Sequence, residues 1–162
     1  MTPGSITIIS GCPASGKSTL ARRTAGANPD TVHLRTDDFY TAITNLIDPS
    51  LPEAKQQNEN IVRQFSAVAS SLSEDGHNVL IDGVVGPWML PIVKEQIMGF
   101  SYLVLHPDVE EVVRRGAARI DQPVPERAIR KMHLEFEKHC AGFEKHYVTE
   151  LDYLDPDSFR LE

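Results

Sequence analysis

Short apolar runs recur along the chain, separated by longer amphipathic stretches and polar joints. The first run, Ser5 to Ser10 (SITIIS), is β-branched and followed by Gly and Pro, the pattern of a buried strand. Lys17 to Ala25 reads as a helix ended by Gly26, Asn28 and Pro29. Thr31 to Arg35 reads as a second strand. Asp38 to Leu46 reads as a helix, broken by Asp48-Pro49 and Leu51-Pro52. Glu53 to Leu72 sets Ile61, Phe65, Val68 and Leu72 on one face of a long helix that Gly76 ends. Asn78 to Asp82 (NVLID) is a third strand, Pro87 to Ile97 a helix, and Phe100 to Leu105 (FSYLVL) a fourth strand. Val109 to Arg119 reads as a helix ending near Asp121. Pro125 to His139 reads as another, with Ile129, Met132, Phe136 and Cys140 as its core stripe. His146 to Leu151 is the last strand expected.

Strands alternating with helices imply an α/β fold on a parallel sheet. The 162 residues fit one domain with one core, and no linker divides them. A hydrophobic share of 41% with 24% charged residues marks a soluble globular chain. The net charge of -7 argues against a nucleic-acid backbone as partner, because such binding relies on a basic face. It favours small partners. No apolar run approaches the roughly 20 residues that span a bilayer. The start lacks a signal-peptide pattern, and Cys12 with Cys140 makes no disulfide framework. The expectation is a cytoplasmic protein without a membrane partner.

One segment carries specific chemistry. Gly11 to Thr19 (GCPASGKST) matches G-x-x-x-x-G-K-[ST] through Gly11, Gly16, Lys17 and Ser18. It follows a predicted strand and opens a predicted helix, as a phosphate-binding loop requires. Its glycines let backbone N–H groups converge on phosphate oxygens, at a helix N-terminus that adds partial positive charge. Ala14, Ser15, Gly16, Lys17, Ser18 and Thr19 are therefore nucleotide contacts, with Lys17 on the β- and γ-phosphates and Ser18 on Mg2+. Cys12 is read as a small spacer, or alternatively as a thiol activated by the helix N-terminus.

Ligands of open parallel α/β sheets sit beyond the carboxyl ends of the strands. The adjacent aspartates of HLRTDDFYTAI follow strand two, and Asp82 ends strand three. All three can face the loop. A carboxylate near a γ-phosphate either takes a proton from an attacking hydroxyl or holds Mg2+. Asp82 sits where a metal-associated carboxylate belongs; its alternative is a turn or cap before Gly83. Asp37 is assigned as the base, with a helix cap as its alternative, and Asp38 as its acceptor-side neighbour or a helix N-cap. Arg115 and Arg119 lie four apart in VEEVVRRGAAR, where guanidinium forks can neutralise a transferring phosphoryl group. Their alternative is a solvated basic face paired with Glu110 and Glu111, with Arg114 as the solvated neighbour.

These residues resemble the small P-loop kinases of metabolites and antibiotics: chloramphenicol phosphotransferase-like, gluconate-kinase-like and zeta-toxin-like enzymes. The run Asp37-Asp38-Phe39-Tyr40 is also similar to the DSFY of uridine-kinase-like enzymes. The resemblance implies a P-loop NTPase three-layer αβα fold with a five-stranded parallel sheet of order 2-3-1-4-5. It implies a short lid over about residues 115–127 carrying an R-x-x-x-R pair, matched by Arg115 and Arg119. It implies an acceptor side over about residues 39–65. There Tyr40, Asn45, Gln56, Gln57, Asn58 and Arg63 are the candidate polar contacts, with Asp37 and Asp38 just before it. Trp88 is a pocket wall or a core residue. Relatives continue into a closing helix, so the short stretch after LDPD leaves a homodimer open as cover for the adenine. His133, His139 and His146, near Glu135 and Glu137, show no zinc spacing and are read as surface or packing histidines.

The function expected is an ATP- and Mg2+-dependent kinase. It transfers the γ-phosphoryl group to a hydroxyl of a small molecule: a metabolite, nucleoside or antibiotic. Asp37 is the base, Lys17, Arg115 and Arg119 stabilise the transferring group, and Ser18 with Asp82 holds the metal. The rivals are a polynucleotide 5′-hydroxyl kinase, and an ATPase or nucleotide switch that binds a partner protein. No N-K-x-D motif marks guanine, and no positive adenine signal appears.

Overall fold

The computed structural model describes residues 2–120, 122–139, 147–148 and 160–161. Its centre is a twisted sheet in the order β2-β3-β1-β4-β5. β1 (Ile6–Gly11), β2 (Thr31–Arg35), β3 (Asn78–Asp82) and β4 (Phe100–Leu105) are parallel and of five or six residues. β5 (Tyr147–Val148) adds parallel to β4, and β6 (Arg160–Leu161) pairs antiparallel with the start of β4. The α/β class and the strand order agree with expectation. Among the described residues, however, the parallel sheet has four full strands rather than five, with only Tyr147–Val148 of the fifth described; the rest of the strand expected over His146 to Leu151 lies outside the described residues.

β1 and β4 are buried along their whole length, as strands covered on both faces must be. One face, with Ile6, Ile8, Val79 and Ile81, packs on α3 (Lys55–Glu74), α5 (Val109–Ala117) and α6 (Glu126–His139). The other, with Ile9, Leu80, Leu103 and Leu105, packs on Leu20 and Ala21 of α1 (Lys17–Ala27). Burying a side chain such as Phe65, 1% exposed, stabilises by about 1.5–3 kcal/mol.

Four helices depart from expectation. The helix expected over 38–46 is α2, Thr36–Thr41. Beyond it the chain is held by side-chain amides: Gln57 brackets both the N–H and the carbonyl of Ile47 (3.0 and 2.8 Å), and Asn58 donates to Pro49 O. In α3 the buried stripe is Ile61, Val62, Phe65, Ser66, Ala69 and Ser73, while Val68 is 39% exposed. Small residues face the sheet there and let the helix approach it. The helix expected over 87–97 splits into a 3₁₀ turn, Pro87–Met89, and α4, Leu90–Val93. Pro91 lacks an N–H and is accepted only near a helix start. α5 stops at Ala117, so Arg119 lies in the turn after it rather than on its face.

Candidate active site

The carboxyl ends of β1, β2 and β3 meet at one edge of the sheet. From β1 the loop runs into α1 with Gly11, Ala14 and Gly16 all at positive φ (141°, 65° and 103°). Gly16, just before α1, needs the left-handed conformation that L side chains resist. The resulting concave backbone is an anion cradle. Ser15 is fully buried, and its hydroxyl has no hydrogen-bond partner among the described residues. Lys17 is 8% exposed, and its Nζ donates to the Cys12 carbonyl at 2.8 Å. Burial drives the Lys17 amine below its usual pKa; Asp82 opposes this most, then Cys12 and Asp37, while Arg119 reinforces it. A buried cation beside an unsatisfied hydroxyl in a left-handed loop fits phosphate oxygens. Cys12 itself is buried, and that burial raises its thiol pKa, so it is an inert spacer.

The second wall is built by β2 and β3. Arg35 pairs with Asp82 in the register of the sheet. After Arg35 the chain turns straight into α2, whose first turn carries Asp37 and Asp38. Gly83, following Asp82, leaves room for the Thr36 side chain, which a Cβ would overlap. Asp37 and Asp82, the neighbours of this close approach in sequence, both line one cleft. Asp82 is 4% exposed, and its Oδ2 lies 3.1 Å from His33 Nε2. Asp38 is exposed, 3.8 Å from Arg35, and makes no side-chain cap; Arg35 occupies the N-cap position, which removes the capping alternative.

The third wall is α5 and the turn beyond it. Arg115 Nε donates to Glu111 (2.7 Å), and Arg115 Nη1 reaches the Ser15 carbonyl at 3.5 Å. Arg114 also binds Glu111, whose carboxyl these two arginines hold down at about 2. Glu110 pairs instead with Arg130 of α6.

The three walls enclose a cleft of ≈ 510 Å³, lined by Ala14, Gly16, Lys17, Ser18, Thr19, Asp37, Asp82, Arg115 and Arg119 among others. This volume falls in the range of small-molecule sites. Ser18 and Asp82 offer the hard oxygen donors that Mg2+ prefers. Other expected residues lie elsewhere. Tyr40 is half-buried, its hydroxyl donating to Asn58 Oδ1 at 3.2 Å, its pKa raised by burial and then by Asp37. Arg63 pairs with Glu95 (3.1 Å) and Glu59 (3.9 Å) and does not line the cleft. Trp88 packs on Phe136 and His139 of α6, also outside the cleft lining. His133 is buried, bonds the Pro107 carbonyl at 3.0 Å and stacks on His106. Donor atoms of His106, His133 and Glu137 come within 4.8 Å of one another. The two rings are 4.0 Å apart and only 23° from parallel, so their in-plane lone pairs aim at no common ion unless one ring turns. His146 lies outside the described residues. His33 and Arg22 were not foreseen. Arg22 follows Ser18 by four residues on α1, a spacing that marks one helix face. His33 had no such signal, since its partner lies on another strand.

The fold and the loop define a P-loop nucleotide-binding protein. A sequence profile of the AAA domain family matches residues 6–139, and the chain belongs to that family. No curated protein matches the chain in sequence. Among solved structures, two of the Pnkp1/Rnl/Hen1 RNA repair complex are similar. One has 23% identity and TM-score 0.70, over 88% of this chain and 47% of that one. The other has 26% identity and TM-score 0.58, over 75% and 41%. The chain thus spans about half the length of that protein. A sugar kinase from Janibacter sp. HTCC2649 is similar at 17% identity and TM-score 0.65, over 96% and 82%. A gluconokinase from Sinorhizobium meliloti 1021 is similar at 16% and TM-score 0.61, over 98% and 90%. Among the described residues no helix is long and apolar enough to cross a membrane.

Proposed function

We propose that the chain is an ATP-dependent kinase that phosphorylates a hydroxyl of a small molecule. The observation that carries this is the convergence of Lys17, Asp37, Asp82, Arg115 and Arg119 on one cleft around the phosphate loop. A P-loop protein that only switches needs no acceptor-side carboxylate; Asp37, at the mouth of the cleft, supplies one.

The loop backbone and Lys17 would bind the β- and γ-phosphates. Asp37 would accept the proton of the acceptor hydroxyl as its oxygen bonds to the γ-phosphorus. The bond from that phosphorus to the β–γ bridging oxygen breaks, and ADP leaves with the electron pair. Arg115 and Arg119 would neutralise the equatorial oxygens. Mg2+, held by Ser18 with Asp82, would supply charge neutralisation across the same phosphates.

A second reading takes an RNA 5′-hydroxyl as acceptor. It is favoured by the 26% identity to a member of the RNA repair complex and by the cationic lining of Lys17, Arg22, Arg115 and Arg119. The test offers γ-labelled ATP or GTP with Mg2+ to pooled sugars, nucleosides and hydroxylated antibiotics, and separately to a 5′-hydroxyl oligonucleotide. Label on a small molecule, lost in Asp37→Asn, supports the first reading. Label on the oligonucleotide alone selects the second. Free phosphate alone, unchanged by Asp37→Asn, refutes both in favour of an ATPase.

A further inference from the structure

We propose that His33 is a positioning residue that holds the Asp82 carboxylate away from Lys17, so that both remain available to a metal–nucleotide pair. The inference rests on the reading of the cleft as a nucleotide site and adds to it a residue outside the cleft lining.

The sheet dictates the contact. His33 pairs with Leu80 and Arg35 with Asp82 in the parallel register of β2 and β3. Side chains alternate between faces, so His33, Arg35, Leu80 and Asp82 share the face that packs on α1. Across it the imidazole reaches one pair further along and meets Asp82 Oδ2 at 3.1 Å. The ring is 19% exposed and the carboxylate 4%, so water competes little for the bond. Arg35, directly opposite Asp82, is not the partner: its side chain is half exposed and turned to Asp38.

Without this tether the electrostatics favour a collapse. Lys17 is a buried cation, and Asp82 is the strongest of the charges that offset its burial. A free aspartate can swing onto such an amine by rotating two torsions. In the structure it does not: Asp82 is bonded to His33, and Lys17 Nζ donates to the Cys12 carbonyl at 2.8 Å. The imidazole engages Oδ2 of a residue that also lines the cleft, so Oδ1 is the oxygen this contact does not use. A carboxylate oriented by a second hydrogen-bonded group is how metal-associated ligands are commonly fixed. Lys17 then meets an incoming phosphate without first breaking an ion pair.

The test measures ADP binding by calorimetry, with Mg2+ and with EDTA, for the wild type, His33→Leu, His33→Gln and Lys17→Ala. The quantity read is the gain in ADP affinity that Mg2+ confers. His33→Leu is expected to cut this gain about tenfold, as loss of an outer-shell partner does. His33→Gln puts an amide N–H near the position of Nε2 and is expected to keep the gain within about threefold of wild type. An undiminished gain in His33→Leu overturns the proposal. So does an equal loss in a folded His33→Gln, which would make the ring a packing element only. Should His33→Leu not fold, the glutamine variant decides alone: a retained gain supports the tether, a lost one refutes it. ADP binding that is absent, or that Lys17→Ala leaves unchanged, overturns the nucleotide reading itself, an outcome distinct from any loss confined to the His33 series.

Discussion

Gly83→Ala probes how β3 and α2 bring two carboxylates to one cleft. Gly83 is not in a left-handed conformation, so alanine meets no backbone strain there; the obstacle is steric. The new methyl would overlap Thr36 Oγ1, and would lie 2.6 Å from Cγ2 and 2.8 Å from Cβ, where ordinary contact begins at 3.4 Å. Thr36 is 4% exposed and cannot turn into solvent. The strand and the start of α2 must separate, an overpacking that costs about 1–3 kcal/mol. For a chain of this size each kcal/mol lowers Tm by about 2–4 °C, so a drop of about 4–8 °C is expected near the middle of that range. Asp37 moves with α2, and a misplacement approaching 1 Å costs about 10²-fold in rate. The phosphate loop hangs from β1, so ADP affinity measured without Mg2+ is expected to hold. Circular dichroism melts, ADP calorimetry and turnover measure the three quantities. Thr36→Ala in the same chain removes Oγ1 and Cγ2 and is expected to restore at least half of the lost Tm. A wild-type Tm in Gly83→Ala, or simple additivity in the double variant, would refute the reasoning.

Arg119→Ala is expected to lower kcat by about 10²-fold or more while ADP affinity changes little, read as a split between kcat and ADP affinity. In a Cys140→Ser background, Cys12 is expected to resist iodoacetamide at pH 8 until urea unfolds the chain, because burial raises its thiol pKa; rapid native labelling would contradict this. Acid is expected to destabilise the protein through His106. Its pKa is lowered first by burial and then by His133 stacked on it, with Glu137 opposing. The unfolded chain therefore binds the proton more readily, so stability rises with pH across the window below the ordinary histidine value of 6.5. Urea unfolding at several pH values should show that slope, and His106→Gln should flatten it.

The phosphate loop was legible because its chemistry is local. Nine consecutive residues, GCPASGKST, both bend the backbone and supply the ligand groups, and the flanking strand and helix follow from adjacent patterns. The strand order was legible through the resemblance that the loop anchors. Helix limits were not, where side chains distant in sequence decide them. Gln57 and Asn58 hold the loop after α2, and small residues rotate the buried face of α3 away from Val68.

By itself, then, the chain's sequence determined the alternation of strands and helices, the anion cradle and the kinds of side chain available at the strand ends. Only the tertiary structure decided which of them meet. His33 finds Asp82 through the β2–β3 register, 49 residues apart. Arg115 touches the Ser15 carbonyl because α5 packs beside the loop, 100 residues away. Trp88 turns to α6, and Arg63 to Glu95. The physical reason is range: backbone conformation and periodicity act over a few residues, whereas the pairing of charges and rings depends on the faces that the sheet register and helix packing bring together.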